Sequence, residues 1–301
     1  MPPLFFRSPA GLLLSIAPLG AACDTAPISG PGQPEARIAA AKQSTTAGRM
    51  LIVRNGQVWI LNDDGSNQLQ LTQTGLNDMP SWAPDGKRVL FAALDPSAPG
   101  IYSMNPDGTA LTRITIPPPG AVDVQPVALG KRVAFRRDDG VTRRIYAVNL
   151  DGTALIRLTD GPLDGEFGAS PKGDRIAFAS ETGQDFGRDI YLMDVASRGI
   201  TQLTHSPTVY KAGISFSPDG KRIAFTRADP GQFESIYVMK ADGTEVTRLT
   251  QGYDFLPRWS PDGKRIAFTG FGISGVYSML ADGTDIQQIT ALSDFLWAWA
   301  R

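Results

Sequence analysis

Six side chains able to do chemistry stand at one place in a recurring unit: Asn77, Asp123, Asp164, Lys211, Asp254 and Asp294. Each lies three residues before the position that Pro80 holds in its own copy. Four carboxylates, one amide and one ammonium in a ring offer an acidic site for a cation or for a basic group of a partner. The same aspartates also suit a local task, because Asp readily closes an Asx-turn on its own loop backbone. Both readings are open in the sequence. Tyr210, Tyr253, Phe255 and Phe295 flank these positions, with Phe186, Phe233 and Phe271 on further loops. Loop aromatics serve as interface anchors, or they shield the inner strands beneath them.

Signals for catalysis are scarce. His205 is the only histidine, and a metal site normally gathers several nitrogen, sulfur or oxygen ligands. No Gly-x-Ser-x-Gly nucleophile elbow occurs; Gly213-Ile214-Ser215-Phe216-Ser217 lacks the final glycine. The run Asn62 to Asn67 has some calcium-loop character but lacks the terminal Glu and fills a hairpin slot. The reading is of a chain with no cofactor, apart from a cation the ring could take.

What must position these residues is a repeat. Trp259-Ser-Pro-Asp-Gly-Lys-Arg-Ile-Ala-Phe268 returns almost unchanged at Phe216–Phe225 and Trp82–Phe91, with looser copies at Pro126–Phe135 and Phe167–Phe178. The arginines Arg88, Arg132, Arg175, Arg222 and Arg265 mark it at intervals of 43 to 47 residues. Each is followed by an Ile-Tyr-x-Met type segment such as Ile236–Met239, then by a short segment such as Arg248-Leu249-Thr250. All are rich in β-branched and aromatic residues and bounded by turn signals, which predicts strands. Pro-Asp-Gly-Lys joins the first strand to the second, and Asp-Gly-Thr the third to the fourth; both are hairpin chemistry. Four strands per period of this length predict a propeller blade. Arg49–Val53 reads as a second strand and Phe295–Ala300 as a first, with Trp299 aligned on Trp259. The fold expected over residues 49–301 is therefore an all-β, six-bladed propeller of four-stranded antiparallel blades. Its ring closes by pairing the N-terminal and C-terminal strands in one blade.

Pro80-Ser-Trp-Ala-Pro-Asp-Gly-Lys-Arg88 together with Ile236–Thr244 resembles the propeller repeat of TolB and TolB-like proteins. Dipeptidyl-peptidase-type hydrolases carry similar repeats, while the Trp-Asp type repeat is a poorer match because the chain has no Trp-Asp dipeptide. TolB itself has an α/β domain before its propeller, a place that residues 23–48 take here. The resemblance implies a propeller that binds an envelope protein, as TolB binds the peptidoglycan-associated lipoprotein.

Charge and the first residues frame the setting. With 29 Lys+Arg against 30 Asp+Glu, the chain lacks the basic face that nucleic-acid binding needs. Arg7, the apolar run Ala10–Leu19 and the small residues Gly20 to Ala22 read as an export signal over 1–22, too short to span a bilayer. Cys23, the only cysteine, follows Gly-Ala-Ala as in a bacterial lipobox, although Leu19 stands one place too early; an ordinary secreted protein is the other reading. Residues 23–48 are rich in Pro, Gly, Ala, Ser and Thr and read as a flexible tether. The tight turns must share one face of the disc and the longer, varied loops the other, where recognition is expected. The function read from sequence is a monomeric, non-enzymatic cell-envelope protein, lipid-anchored at Cys23, that presents its loop-rich face and channel mouth to an envelope protein or peptide. The alternative is a propeller enzyme or a cation-dependent small-ligand or carbohydrate binder that uses the acidic ring.

Overall fold

The computed structural model describes residues 48–161, 163–181, 187–270, 275–291 and 293–300. The signal, tether and Cys23 readings, and the loop residues Phe186 and Phe271, lie outside the described residues.

Six four-stranded antiparallel sheets make up the structure. The innermost strands of the second to sixth blades are Asn77–Trp82, Val122–Leu129, Asp164–Ala169, Tyr210–Phe216 and Asp254–Trp259. The first blade is composite, as the sequence predicts. Its innermost strand, Phe295–Ala300, pairs antiparallel with Arg49–Arg54, which pairs with Gln57–Asn62 and then Leu69–Gln70. Innermost strands of neighbouring blades touch in an unbroken circuit, so the ring is closed. Closure leaves only the outermost strands as edges, and these are two or three residues long, which blunts edge-to-edge association.

The repeat explains why blades form and stack. Along Arg222–Ala228, Ile223, Ala224 and Phe225 are all buried, because the sheet is covered on both sides. Ile223 and Phe225 pack on Ala177, Ala179 and Ile190 of the blade before, while Ala224 packs with Trp259 and Ile266 of the blade after. Phe225 stacks across the strand pair on Tyr237 at 5.8 Å, and four other blades repeat the pair, as in Phe91–Tyr102 at 5.7 Å. The recurrent tryptophans join blades: Trp82 lies among Leu51, Val58 and Ile60 under the Arg49 guanidinium, and Arg222 sits 4.4 Å over Trp259.

The turn face is closed on itself. Gly220 and Gly263 take φ of 68° and 71°, as the Pro-Asp-Gly-Lys hairpins require. Asp219 and Asp262 accept the backbone N–H two residues on, at 3.0 and 3.1 Å. Asp107, Asp151, Asp242 and Asp282 likewise bind the amide and hydroxyl of the threonine two residues on. The turn aspartates of this face are committed to building it.

Every innermost strand also carries a β-bulge in its pairing with the second strand. Met79, Gln125 and Leu256 have φ of 52°, 53° and 56° there, a conformation that non-glycine residues seldom adopt. A bulge re-aims side chains, and here it does so at the axis of the ring.

Candidate functional site

All six ring residues sit at the loop-face end of their innermost strands, at or next to the first residue. They do not converge. The Asp294 carboxylate receives the Nε and Nη2 of Arg54 at 2.6 and 2.7 Å, and Asp123 receives those of Arg137 at the same distances. Both aspartate side chains are fully buried. Asp164 accepts from the hydroxyls of Thr159 and Ser180. Burial pushes its carboxyl up, and these two hydroxyls oppose the rise. Asp254 is also pushed up by burial, against hydrogen bonds from Thr250 and Gly252. Asn77 donates to the Thr74 carbonyl at 2.8 Å. Of the four carboxylates, Asp123 and Asp294 are each paired with an arginine of their own blade, while Asp164 and Asp254 accept hydrogen bonds from residues beside them.

Lys211 makes the most demanding of these arrangements. Its ammonium donates to the carbonyls of Arg188, Ser206 and Val209 and to Asp189 Oδ1, at 2.8 to 3.3 Å. The side chains of Lys211 and Asp189 are 1% and 2% exposed. The lysine ties the fifth blade back onto the fourth.

The aromatic residues form a file. Phe233, Tyr253, Phe255 and Phe295 follow one another at ring separations of 5.7, 6.0 and 6.0 Å. The file starts at Phe233, 71% exposed on a loop, and runs through Phe255, which is buried with Val53, Leu256 and Trp297, to Phe295. Met79 and Phe295 complete this apolar wall on the sixth, first and second blades. Tyr210, on the fifth blade, has the Arg188 guanidinium 5.1 Å over its ring. Ile116 and Val141, 75% and 80% exposed, crown the same face, and Leu76 joins them.

Below the mouth lies a second group that the repeat pattern does not announce. Asp78, Arg136, Tyr210 and Arg258 come from four blades, and each feels the charge of Glu166 on a fifth. Only a position at the axis allows this. Asp78, Arg136 and Arg258 are hemmed in by protein yet keep some contact with solvent, as the wall of a channel does. Glu166 accepts the Gly213 amide at 2.7 Å across the blade boundary. Among the described residues no cluster of three or more His, Cys, Asp or Glu is placed to hold a metal, and His205 is exposed on its loop.

Comparison with known proteins agrees with the propeller fold. The TolB beta propeller domain matches residues 188–296. Over 83 residues the chain is 37% identical to an uncharacterized protein of Agrobacterium fabrum, a match spanning 28% of this chain and 27% of that one. The fold superimposes on TolB from Acinetobacter baumannii with a TM-score of 0.72 at 22% identity, covering 84% of this chain and 66% of that one. A TolB-type structure from Agrobacterium tumefaciens gives 0.68 at 23% identity, covering 83% and 91%. The fold is shared with TolB-type propellers, and the match to the TolB beta propeller domain lies in residues 188–296. Propeller enzymes share the fold at lower similarity.

In this propeller the channel carboxylate Asp78 works against the fold. Burial, with a contribution from Glu166, pushes it up to about 6 despite the Met79 amide that it accepts at 2.6 Å. An unfolded Asp titrates near ~3.9, so from about pH 4 to 6 the native state binds the extra proton and stability falls as pH rises. Asp78→Asn should thus raise the melting temperature at pH 7.5, by at most about 2–3 kcal/mol in stability, and change little at pH 4. Thermal melts at the two pH values check this; an equal shift at both would refute the assignment.

Proposed function

We propose that the chain is a non-enzymatic cell-envelope protein that recognises a protein or peptide partner through its loop face and channel mouth. The observation that carries this reading is that, among the described residues, the three most exposed large apolar side chains, Val141, Ile116 and Phe233, stand on the loop face, while most of the others are spread along the outer strands. Leu76 joins them on the loop face, and the aromatic file leads from Phe233 into the channel. Apolar anchors around a concave mouth are what partner recognition uses, whereas the polar groups of the turn face are bound within their own hairpins. An envelope location and a lipid on Cys23 accord with the TolB-like propeller and with the lipobox-like sequence. A cation-dependent site on the ring has less support, because Asp123 and Asp294 are each held by an arginine.

The test is a comparison of variants in capture from envelope extracts. Val141→Ser with Phe233→Ser should lose the wild-type partner, while Leu111→Ser with Ile286→Ser, on the outer rim, should keep it. Retention by the first pair and loss by the second would reverse the assignment of faces.

A further inference from the structure

Opposite the ring position, the second strand carries a different residue in different blades. Asp123 faces Arg137, Asp164 faces Ser180, Lys211 faces Arg227, Asn77 faces Ala93 and Asp254 faces Gly270. In the first blade Arg54 takes this place beside Asp294. Arg54 and Arg137 are bound alike. Each gives its Nε and Nη2 to the carboxylate at 2.6 and 2.7 Å. Each also lays its guanidinium over an aromatic ring of the third strand, 4.8 Å from Trp59 and 5.2 Å from Tyr146. Arg227 likewise lies 5.2 Å over Tyr237, although its carboxylate is Asp229.

The sixth blade keeps the carboxylate and the ring without the arginine. Tyr277 pairs with Phe268 as Tyr146 pairs with Phe135. Gly270 stands where Arg137 stands, and a Cβ placed on it would lie 3.1 Å from the Tyr277 ring and 3.4 Å from Asp254 Oδ1. Ring and carboxylate therefore meet over a bare glycine. Thr250 and Gly252 hold Asp254, and no ion pair reaches it among the described residues. Asp123 and Asp294 are 0% and 1% exposed beneath their arginines, whereas Asp254 is half-buried and keeps contact with solvent. Glu234, whose carbonyl accepts the Asp254 amide at 2.9 Å, adds a second carboxylate without an ion pair.

The other blades show how such a loss is accommodated when nothing binds there. The second blade lacks the arginine and also the carboxylate, with Asn77 facing Ala93. In the fourth, the hydroxyls of Thr159 and Ser180 serve Asp164, which is 1% exposed. A partly desolvated carboxylate without a cation costs stability, and only the sixth blade leaves one open beside an aromatic ring.

We propose that Asp254 and Tyr277 form a slot for the guanidinium of an arginine side chain supplied by the partner protein. The partner's arginine takes the part that Arg54 and Arg137 play inside their own blades. A planar guanidinium stacks on an aromatic ring while it forks onto a carboxylate, which a lysine ammonium does not do. Tyr253, next to Asp254, stacks against the exposed Phe233 at 5.7 Å, so the slot adjoins the apolar anchors of the loop face. The source of the arginine rests on the loop-face reading; the slot itself does not.

NMR titration of the full chain with N-acetyl-L-arginine amide tests the slot. Saturable shifts centred on Asp254 and Tyr277, with a Kd of about 10 mM or tighter, are expected. N-acetyl-L-lysine amide should bind at least about tenfold more weakly, and Asp254→Asn should weaken the arginine amide by a similar factor. Gly270→Arg rebuilds the internal arginine and should abolish binding, once the Tyr277 ring yields by a few tenths of an ångström. Should Gly270→Arg not fold, Asp254→Asn and the lysine amide decide the matter. No saturable shift, equal binding of the lysine amide, or undiminished binding by Asp254→Asn would overturn the proposal. In capture from envelope extracts, Asp254→Asn should recover less of the wild-type partner, and undiminished recovery would overturn the partner as the arginine's source. Arginine-amide binding in a chain whose Val141→Ser with Phe233→Ser variant keeps its partner would uphold the slot while the loop-face reading falls.

Discussion

Deletion of residues 293–301 abolishes cooperative folding of the propeller. The strand Arg49–Arg54 loses its antiparallel partner Phe295–Ala300, and Arg54 loses the Asp294 carboxylate. Leu296 and Trp297 are buried to within 0% and 5% exposure, and each is worth roughly 2–3 kcal/mol of apolar burial. Phe295 and Trp299 add partial burial, and the first blade is left with an open edge. Together these losses approach a whole stability margin of about 5–15 kcal/mol. Circular dichroism during a urea titration should show a broad, non-cooperative loss of β signal, and a synthetic peptide of residues 293–301 should restore a sharp transition. A truncated chain that melts within a few degrees of the full one would refute closure as the principal clamp.

Lys211→Met should be the most damaging single substitution. The ammonium satisfies three carbonyls and the enclosed Asp189 carboxylate, and methionine fills similar space without a proton to donate. Removing one member of a buried pair leaves an uncompensated charge and costs about 3–5 kcal/mol. Burial alone would push the Asp189 carboxyl up, but the Ser206 amide, the Thr204 hydroxyl and Lys211 outweigh it and hold it below the usual range. Its contribution to stability is therefore present above the unfolded carboxylate value of about 4 and is lost as pH falls through the lower folded value. In the variant the Lys211 part of that support is gone, while the Ser206 and Thr204 hydrogen bonds remain. The deficit should be greatest near neutrality and shrink under acid conditions, where Asp189 takes up a proton. Urea melts of wild type, Lys211→Met and Lys211→Met/Asp189→Asn test this, with the double variant recovering part of the loss at pH 7. An equal deficit at pH 7 and pH 4 would show that lost packing, not charge, is responsible.

The architecture was legible in the sequence because a repeat states each instruction several times. Pro-Asp-Gly-Lys and Asp-Gly-Thr fix the hairpins, the Arg-Ile-Ala-Phe segment fixes a strand covered on both faces, and Trp299 aligned on Trp259 reveals the closing strand. The site was less legible, for two physical reasons. Strand alternation assigns faces only while the register is regular, and a bulge in every innermost strand breaks it just where Asp78, Glu166 and Arg258 project. Arg136 lies on a second strand, one place removed from the axis and opposite Val124, where the innermost-strand repeat gives no sign of it.

The partners of the ring aspartates did leave a signal. Arg54 and Arg137 stand five residues after Arg49 and Arg132, the repeat arginines of their own blades, and lie beside or opposite Asp294 and Asp123. Arg227 holds the same place in the fifth blade, facing Lys211 instead, and it turns to Asp229 at 2.6 Å. Matching the ring position against this second one would have shown that two of the carboxylates were already paired.

The central claim is that one face of the disc recognises and the other constructs. Photo-crosslinking residues placed singly at Val141, Phe233, Asp107 and Asp242, in cells that make the protein, test it most directly. Adducts of the same added mass from Val141 and Phe233, with none from Asp107 and Asp242, are the predicted result. Adducts from the two turn positions with none from the loops would contradict it.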